Sequence, residues 1–433
     1  MSRPLTVVAS AGLSVVLLVC MTVLVRQFSQ SRQESLRQLG IAVGPDGATT
    51  EVTVPSDIDS EFRVFGRDGP GKASEIGRQR AWLSSGRVPP APVGTSAELV
   101  RVSLLDLYLL GRDHDVTVAA WAGPWRYVWP RDSAFVVSAL VRTGHEAEAR
   151  RHLDFLQQVQ PETGVLAARY LPDWSGRTPD ARGVQLDGAG WALWALGEVA
   201  RFTAAAERPA LVGSYRQLLV RSTNAIVSSL GPTGLPYVSA DYWETRERMR
   251  TLATSAILLA GLQSSARLFG YLGESDHALV ATETGLSLQA SIVRSFGPSG
   301  YSRYPGGRAR DVDLGVTFLQ APFVEFAEVA ATRSAWESVP TYGARPGGGL
   351  APGGGWKRDG VSWTSTAATY AMAAACIDPP QATRWLKHLD AHRTATGALP
   401  EKVLADGSPA SVAPLAWTAA AVIVTVDELE RGC

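Results

Sequence analysis

Trp125-Arg126-Tyr127-Val128-Trp129-Pro130-Arg131-Asp132 runs straight into a helix-like apolar stretch, Ser133 to Val141. Three aromatics, a proline and an Arg-Asp pair stand within one short turn. Rings beside a rigid helix entry can floor a sugar pocket, and Arg131 with Asp132 offers a fixed donor and acceptor for hydroxyl groups. The plain alternative is an aromatic helix entry that only packs. One aromatic cluster does not decide between the two.

Outward from this stretch the same unit recurs. From Thr95 to the end of the chain, apolar helical runs alternate with loops. The candidate helices are 95–111, 133–143, 145–160, 187–206, 209–229, 249–269, 276–296, 314–332, 363–376, 380–393 and 411–430. Leu252, Ala256, Leu259, Leu262 and Ala266 fall on one face at helical spacing, with Gly270 as a stop. Alternating strand-like runs are scarce, so the chain reads as all-α. Helices of this length suit a closed ring of helical hairpins, although helix count alone does not separate a ring from a solenoid. Four connections are too long for plain linkers: 171–184, 231–248, 297–313 and 341–361. Long ordered loops usually carry function. The glycine clusters at 347–349 and 353–355 are not followed by Lys-Ser/Thr, which argues against a nucleotide phosphate loop.

The N-terminal part is different. Leu5 to Val25 is uncharged and as long as a bilayer span. It lacks the small-x-small site of a cleaved signal peptide. It is read as an uncleaved membrane anchor, residues 1–26. Arg26, Arg32 and Arg37 follow it and only Arg3 precedes it, which by charge alone favours a cytoplasmic C-terminal side. Long domains translocate regardless of such charges, so an extracytoplasmic catalytic domain at the cell membrane is expected. Residues 27–93, polar and rich in Gly and Pro, read as a juxtamembrane stalk and linker, with one helix near 73–84. Residues 94–433 read as the catalytic domain.

Lys plus Arg equals Asp plus Glu, 41 each, which gives no electrostatic case for a nucleic-acid partner. Thirteen Trp suit a carbohydrate cleft as well as a core. Only Cys20, Cys376 and Cys433 occur, so neither a disulfide framework nor a thiolate metal site is expected. The six His form no metal-like cluster, and His388 and His392 read as solvated helix residues. No metal and no cofactor is expected.

Two carboxylates stand out. Glu244 follows Trp243 in a loop, and an aromatic wall favours the protonated form that a general acid needs. A surface Glu near a helix start is the bland reading. Glu401, in Gly397-Ala398-Leu399-Pro400-Glu401, projects from a loop stiffened by Gly and Pro. On local sequence alone, an exposed loop residue is the favoured reading. Only the fold could bring the pair together, as inverting glycosidases require.

Several ordered segments resemble glycoside hydrolase family 15, the glucoamylases and related α-glucosidases and trehalases. Tyr127-Val128-Trp129-Pro130-Arg131-Asp132 is similar to its Y-x-W-x-R-D segment, Gln185-Leu186-Asp187-Gly188 to Q-x-D-G, and Asp241-Tyr242-Trp243-Glu244 to its D-x-W-E loop. Leu399-Pro400-Glu401 is similar to L-P-E-Q and Pro414-Leu415-Ala416-Trp417 to P-L-x-W. The resemblance spans about residues 95 to 430. It implies a six-plus-six double helical (α/α) barrel, with general acid Glu244 and general base Glu401. It implies an oligo- or polysaccharide substrate, with Tyr127, Trp129, Arg131, Asp132, Asp187 and Trp243 about the sugar. It also implies a cleft arginine, for which Arg358 is preferred over Arg303. The expected activity is inverting, exo-acting hydrolysis of α-glucosidic linkages. A trehalase-like hydrolase, a sugar phosphorylase and a non-catalytic binding or regulatory barrel are the alternatives. The chain departs from the family at Lys402, where Gln is usual, and at Trp125, where fungal members tend to carry Tyr.

Overall fold

A computed structural model describes residues 36–433 apart from 60 and 67–69. The proposed anchor at Leu5 to Val25 lies outside the described residues.

Six helical positions form an inner ring. In chain order they are Pro130–Arg142, Asp187–Phe202, Leu252–Tyr271, the 3₁₀ segment Leu314–Leu319, Thr364–Ile377 and Ala416–Arg431. Each packs on the next, and Ala416–Arg431 returns to Pro130–Arg142, which closes the ring. An outer layer covers it: Leu99–Arg112, Glu146–Val159, Arg216–Ser229, Ser275–Phe296, Val329–Gly343 and Pro379–Ala391. The arrangement is a barrel of helical hairpins, as expected, rather than an open solenoid.

Local chemistry sets the helix ends. Pro130 and Pro379 open their helices, where the missing N–H costs nothing. The Thr251 hydroxyl caps the helix after it by accepting from the Thr254 N–H. Two inner helices meet at glycines. A β-carbon on Gly190 would lie 2.4 Å from the Ile257 carbonyl oxygen, and one on Gly261 would lie 2.8 Å from the Gly190 α-carbon. The helix Leu252–Tyr271 is long and apolar enough to cross a membrane but is buried in the barrel.

The barrel interior is filled with rings. Phe135 packs 5.2 Å from Trp191 and 5.4 Å from Trp417, and Trp191 packs 5.2 Å from Phe318, centroid to centroid. One end is tied by Arg142, whose buried guanidinium holds Glu198 at 2.8 Å, Asp427 at 3.2 Å and Glu428 at 2.6 Å. The other end, where Pro130–Arg142 begins, carries the loops.

Three expectations are corrected. The run 314–332 is not one helix. It is the short segment Leu314–Leu319 followed by a loop containing Pro322, and the outer helix begins only at Val329. Residues 36–93 are not a free stalk. Strands Ile41–Val43 and Thr49–Glu51 pair antiparallel, Ile41 and Val43 enter the main core, and Arg63 makes a buried 2.8 Å ion pair with Asp106. The cysteines do pair. Cys376 and Cys433 form a disulfide with α-carbons 5.4 Å apart, joining two neighbouring inner helices.

Candidate active site

The loop end of the barrel holds a cavity of about 210 Å³, lined by Trp125, Trp129, Arg131, Asp132, Trp243, Glu244, Glu401 and Trp417 among others. Three stretches of chain bring the residues expected from the sequence to it.

The first is the entry to helix Pro130–Arg142. Trp129 is the residue before that helix, and Arg131 and Asp132 fill its first turn. Arg131 clasps Asp132 through Nε at 3.0 Å and Nη2 at 2.8 Å. Its guanidinium lies 4.4 Å from the Trp417 ring centre. Burial pushes the Asp132 carboxyl above the usual range, while Arg131 pulls it down. The two side chains are therefore held to each other at the helix entry.

The second stretch is the loop before helix Leu252–Tyr271. The Trp243 N–H donates to Asp241 Oδ1 at 3.0 Å, and the Glu244 N–H donates to the Asp241 carbonyl at 2.7 Å. Glu244 takes a left-handed backbone, φ +53°, a conformation costly for a residue with a β-carbon and concentrated at functional sites. Its Oε1 accepts from Trp129 Nε1 at 2.7 Å and lies 3.5 Å from Arg131 Nη1. Its Oε2 accepts from the Arg182 guanidinium.

Glu401 belongs to the third. It precedes strand Lys402–Val403, which lies between Ser362–Trp363 and Pro409–Ala410 in a small antiparallel sheet. The Glu401 N–H donates to the Val412 carbonyl at 2.8 Å, and its own carbonyl accepts from the Thr364 N–H at 3.0 Å. Gly397, at φ +81°, makes the preceding turn. Glu401 Oε1 accepts from Trp125 Nε1 at 3.1 Å, and Oε2 accepts from the Ser411 hydroxyl at 2.5 Å. Lys402 Nζ is 3.4 Å from Oε2 and lies over the Trp363 ring.

Trp129, Arg131, Asp132, Trp243, Glu244 and Glu401 thus meet in one cavity. Tyr127, Asp187 and Arg358 do not line it. Tyr127 packs 6.3 Å from Trp129, beneath the Arg169 guanidinium, and so supports the wall. Asp187 is buried behind Arg131. Burial raises its carboxyl to about 7, against the pull of Arg131. Arg358 is exposed on its loop. Arg303 is the arginine tied to the loop that carries Glu244. It is buried, stacks 3.7 Å from the Trp243 ring centre, and binds Asp241 at 2.9 Å, Glu247 at 2.7 Å and Asp313 at 2.5 Å.

Sequence reasoning missed Arg169, Arg182, Trp356 and Trp363 as lining residues. The loops 171–184 and 341–361 were flagged by length, which pointed to Arg182 and Trp356. Nothing local marked the individual side chains.

By sequence the chain matches no protein-family model and no curated protein. By structure it is similar to several solved proteins. A wild-type glycosidase aligns over 84% of this chain and 99% of its own, at 20% identity and TM-score 0.65. A bacterial glucoamylase complexed with acarbose aligns over 84% of this chain and 60% of its own, at 19% identity and TM-score 0.66. The glucoamylase from Saccharomycopsis fibuligera aligns over 82% of this chain and 96% of its own, at 13% identity and TM-score 0.58. In fold, this chain is a glucoamylase-like (α/α) barrel.

Proposed function

We propose that this protein is an inverting glycoside hydrolase that releases sugar from the end of an α-glucosidic chain. The observation that carries the reading is that Glu244 and Glu401, distant in sequence, line one aromatic cavity with the Arg131–Asp132 clamp. Glu244 protonates the leaving glycosidic oxygen as the C–O bond breaks. Glu401 takes a proton from the water that attacks the anomeric carbon from the opposite face. An α-linkage then yields a β-anomer.

We further propose that Leu5 to Val25 anchors the chain and that the barrel lies outside the cytoplasm. The Cys376–Cys433 disulfide supports an oxidising compartment.

The test is digestion of maltose, isomaltose, trehalose and dextrin by the chain from residue 36 onward, followed by proton NMR. β-Glucose released first, with turnover lost in both Glu244→Gln and Glu401→Gln, is the expected result. α-Glucose released first, or an active Glu401→Gln protein, overturns the mechanism. Trehalose as sole substrate selects the trehalase-like reading. Sugar binding without turnover of any of the four selects a binding barrel.

A further inference from the structure

Arg169 and Arg182 line the site cavity on one side and a second cavity, of about 360 Å³, on the other. The Arg182 guanidinium also donates to Glu244 Oε2. The second cavity therefore adjoins the site beside Glu244, not beside Glu401. With Glu244 as the acid, the leaving group departs on this side.

The two cavities differ in chemistry. The first is walled by indoles and charged groups, including Trp129, Trp243, Trp356 and Trp363. The second lies between segment 159–170 and loop 171–184, and its wall is aliphatic: Val159, Pro161, Val165, Leu166, Ala168 and Val184. Tyr170 is there too, but its hydroxyl accepts from the Ala167 N–H at 2.7 Å and its ring packs edge-on against Phe155. The charged residues of this wall hold one another. Asp180 Oδ2 lies 3.2 Å from Arg182 Nε and binds Arg169, whose Nη1 donates to the Pro124 carbonyl at 2.9 Å. They form a polar collar where the cavities meet. Among the described residues, Thr178 is the one other polar side chain in the wall. Val184 is left 62% exposed. Beyond the collar a sugar would lose water without gaining ring faces or hydrogen bonds. A hydrocarbon would gain by burial there.

We propose that the second cavity is a leaving-group site for an apolar aglycone, so that the preferred substrates are α-glucosides of an apolar alcohol. The sugar lies among the indoles and takes the donors of the collar on its oxygens. The hydrocarbon passes the collar and lies against Val165, Leu166 and Val184. The hydroxyl of water goes to the anomeric carbon and its proton to Glu401, while the alcohol leaves with the proton from Glu244. This rests on the hydrolase reading, with Glu244 on the leaving-group side.

The experiment measures kcat/KM of the full-length chain on methyl, butyl and hexyl α-glucoside and on maltose. From methyl to hexyl a rise of about tenfold or more is expected, which burial of two methylene groups suffices to supply. Hexyl α-glucoside is expected to exceed maltose. Val184→Asp sets a charge in the aliphatic wall and cuts the hexyl-to-methyl ratio several-fold. A flat or falling series, or maltose preferred over the hexyl glucoside, overturns the aglycone site while leaving the hydrolase reading intact. A rising series whose slope Val184→Asp does not change places the hydrocarbon elsewhere and overturns it as well. Inactivity on all four overturns both readings together. If Val184→Asp does not fold, the series in the parent and its comparison with maltose decide.

Discussion

The Arg303 guanidinium lies 3.7 Å from the centre of the Trp243 ring while its nitrogens bind Asp241, Glu247 and Asp313. Asp241 in turn holds the Trp243 and Glu244 backbone amides. One buried cation thus organises three carboxylates and the ring beside the candidate acid. Because Glu244 occupies an unfavourable backbone conformation, that conformation persists only if its surroundings impose it. Arg303→Met leaves three buried carboxylates without their cation. A loss of about 3–5 kcal/mol is expected in urea unfolding. Arg303→Lys restores charge but not the fork, and keeps the fold with a lower kcat. An Arg303→Met protein as stable and active as the parent would show that the Glu244 loop holds its shape alone.

At the other candidate carboxylate, the Trp125 indole N–H donates to Glu401. Trp125→Phe keeps most of the wall and removes this donor. One hydrogen bond to a charged group is worth roughly 1.5–3 kcal/mol. The expected effect is a fall in kcat of about 10-fold or more, with KM little changed. An unchanged kcat would mean that Ser411 and Lys402 suffice to orient the carboxylate.

Much of this arrangement was legible in the sequence, for identifiable reasons. The helix entry at Trp129-Pro130-Arg131-Asp132 combines a proline at the first helical position with an apolar run, so local chemistry alone fixes it. Glu244 and Glu401 were legible through the resemblance of their D-x-W-E and L-P-E segments, since the flanking ring, glycine and proline left the surface reading of each open. What was hidden depended on distance in space. The apolar stretch from Leu314 has helical composition, but only Leu314–Leu319 winds before the loop at Pro322. Strands of three residues, such as Ile41–Val43, are too short to show a period. Arg182 is an ordinary loop charge until the fold sets it on Glu244. Arg303 and Arg358 are hard to tell apart in the sequence for the same reason: both sit in loops, and only packing buries one of them.

The Cys376–Cys433 bond joins helices Thr364–Ile377 and Ala416–Arg431, which are already ring neighbours. A disulfide acts largely on the unfolded chain, and a loop of this size is worth about 2–4 kcal/mol. Cys433→Ser is therefore expected to lower the unfolding free energy by that amount while leaving kcat at 25 °C unchanged. Both cysteines lie away from the cavity lining. Equal stability with and without reductant would remove the bond from any role in the fold.

His152 sets an acid limit on stability. It is fully buried, its Nε2 accepts from the Thr117 N–H at 3.3 Å, and burial pushes its imidazole down to about 3. The unfolded value is 6.5, so the unfolded chain takes up a proton first as pH falls. The stability contribution is present above pH 6.5 and is lost progressively as pH falls toward 3. Between pH 7.5 and pH 5 the loss amounts to roughly 2 kcal/mol. His152→Leu is less stable at every pH, since Thr117 loses its acceptor, but its stability falls less between these two values. Urea unfolding at both pH values gives the comparison, and an equal fall in the two proteins would exclude His152 as the cause.

The N-terminal segment supports Glu401 through Ser411. Leu36 carbonyl accepts from the Ser411 N–H at 2.8 Å, the Gln38 N–H donates to the Ser411 carbonyl at 3.0 Å, and Gln38 Oε1 accepts from the Ala413 N–H at 3.1 Å. Ser411 is thereby held on both sides in a left-handed backbone, φ +68°, with its hydroxyl on Glu401. A chain begun at residue 70 keeps every cavity-lining residue but loses this brace. Its kcat is expected to fall about 10-fold or more against a chain begun at residue 36. Loss of the Ile41 and Val43 core contacts could produce the same fall, so the point variant separates the causes. Gln38→Ala leaves those contacts and strands the buried Ala413 N–H, at a cost of roughly 1–3 kcal/mol. If the brace is what matters, Gln38→Ala lowers kcat while the protein stays folded by circular dichroism. If Gln38→Ala matches the parent and only the shortened chain fails, the segment serves the core and Ser411 needs no help to hold Glu401.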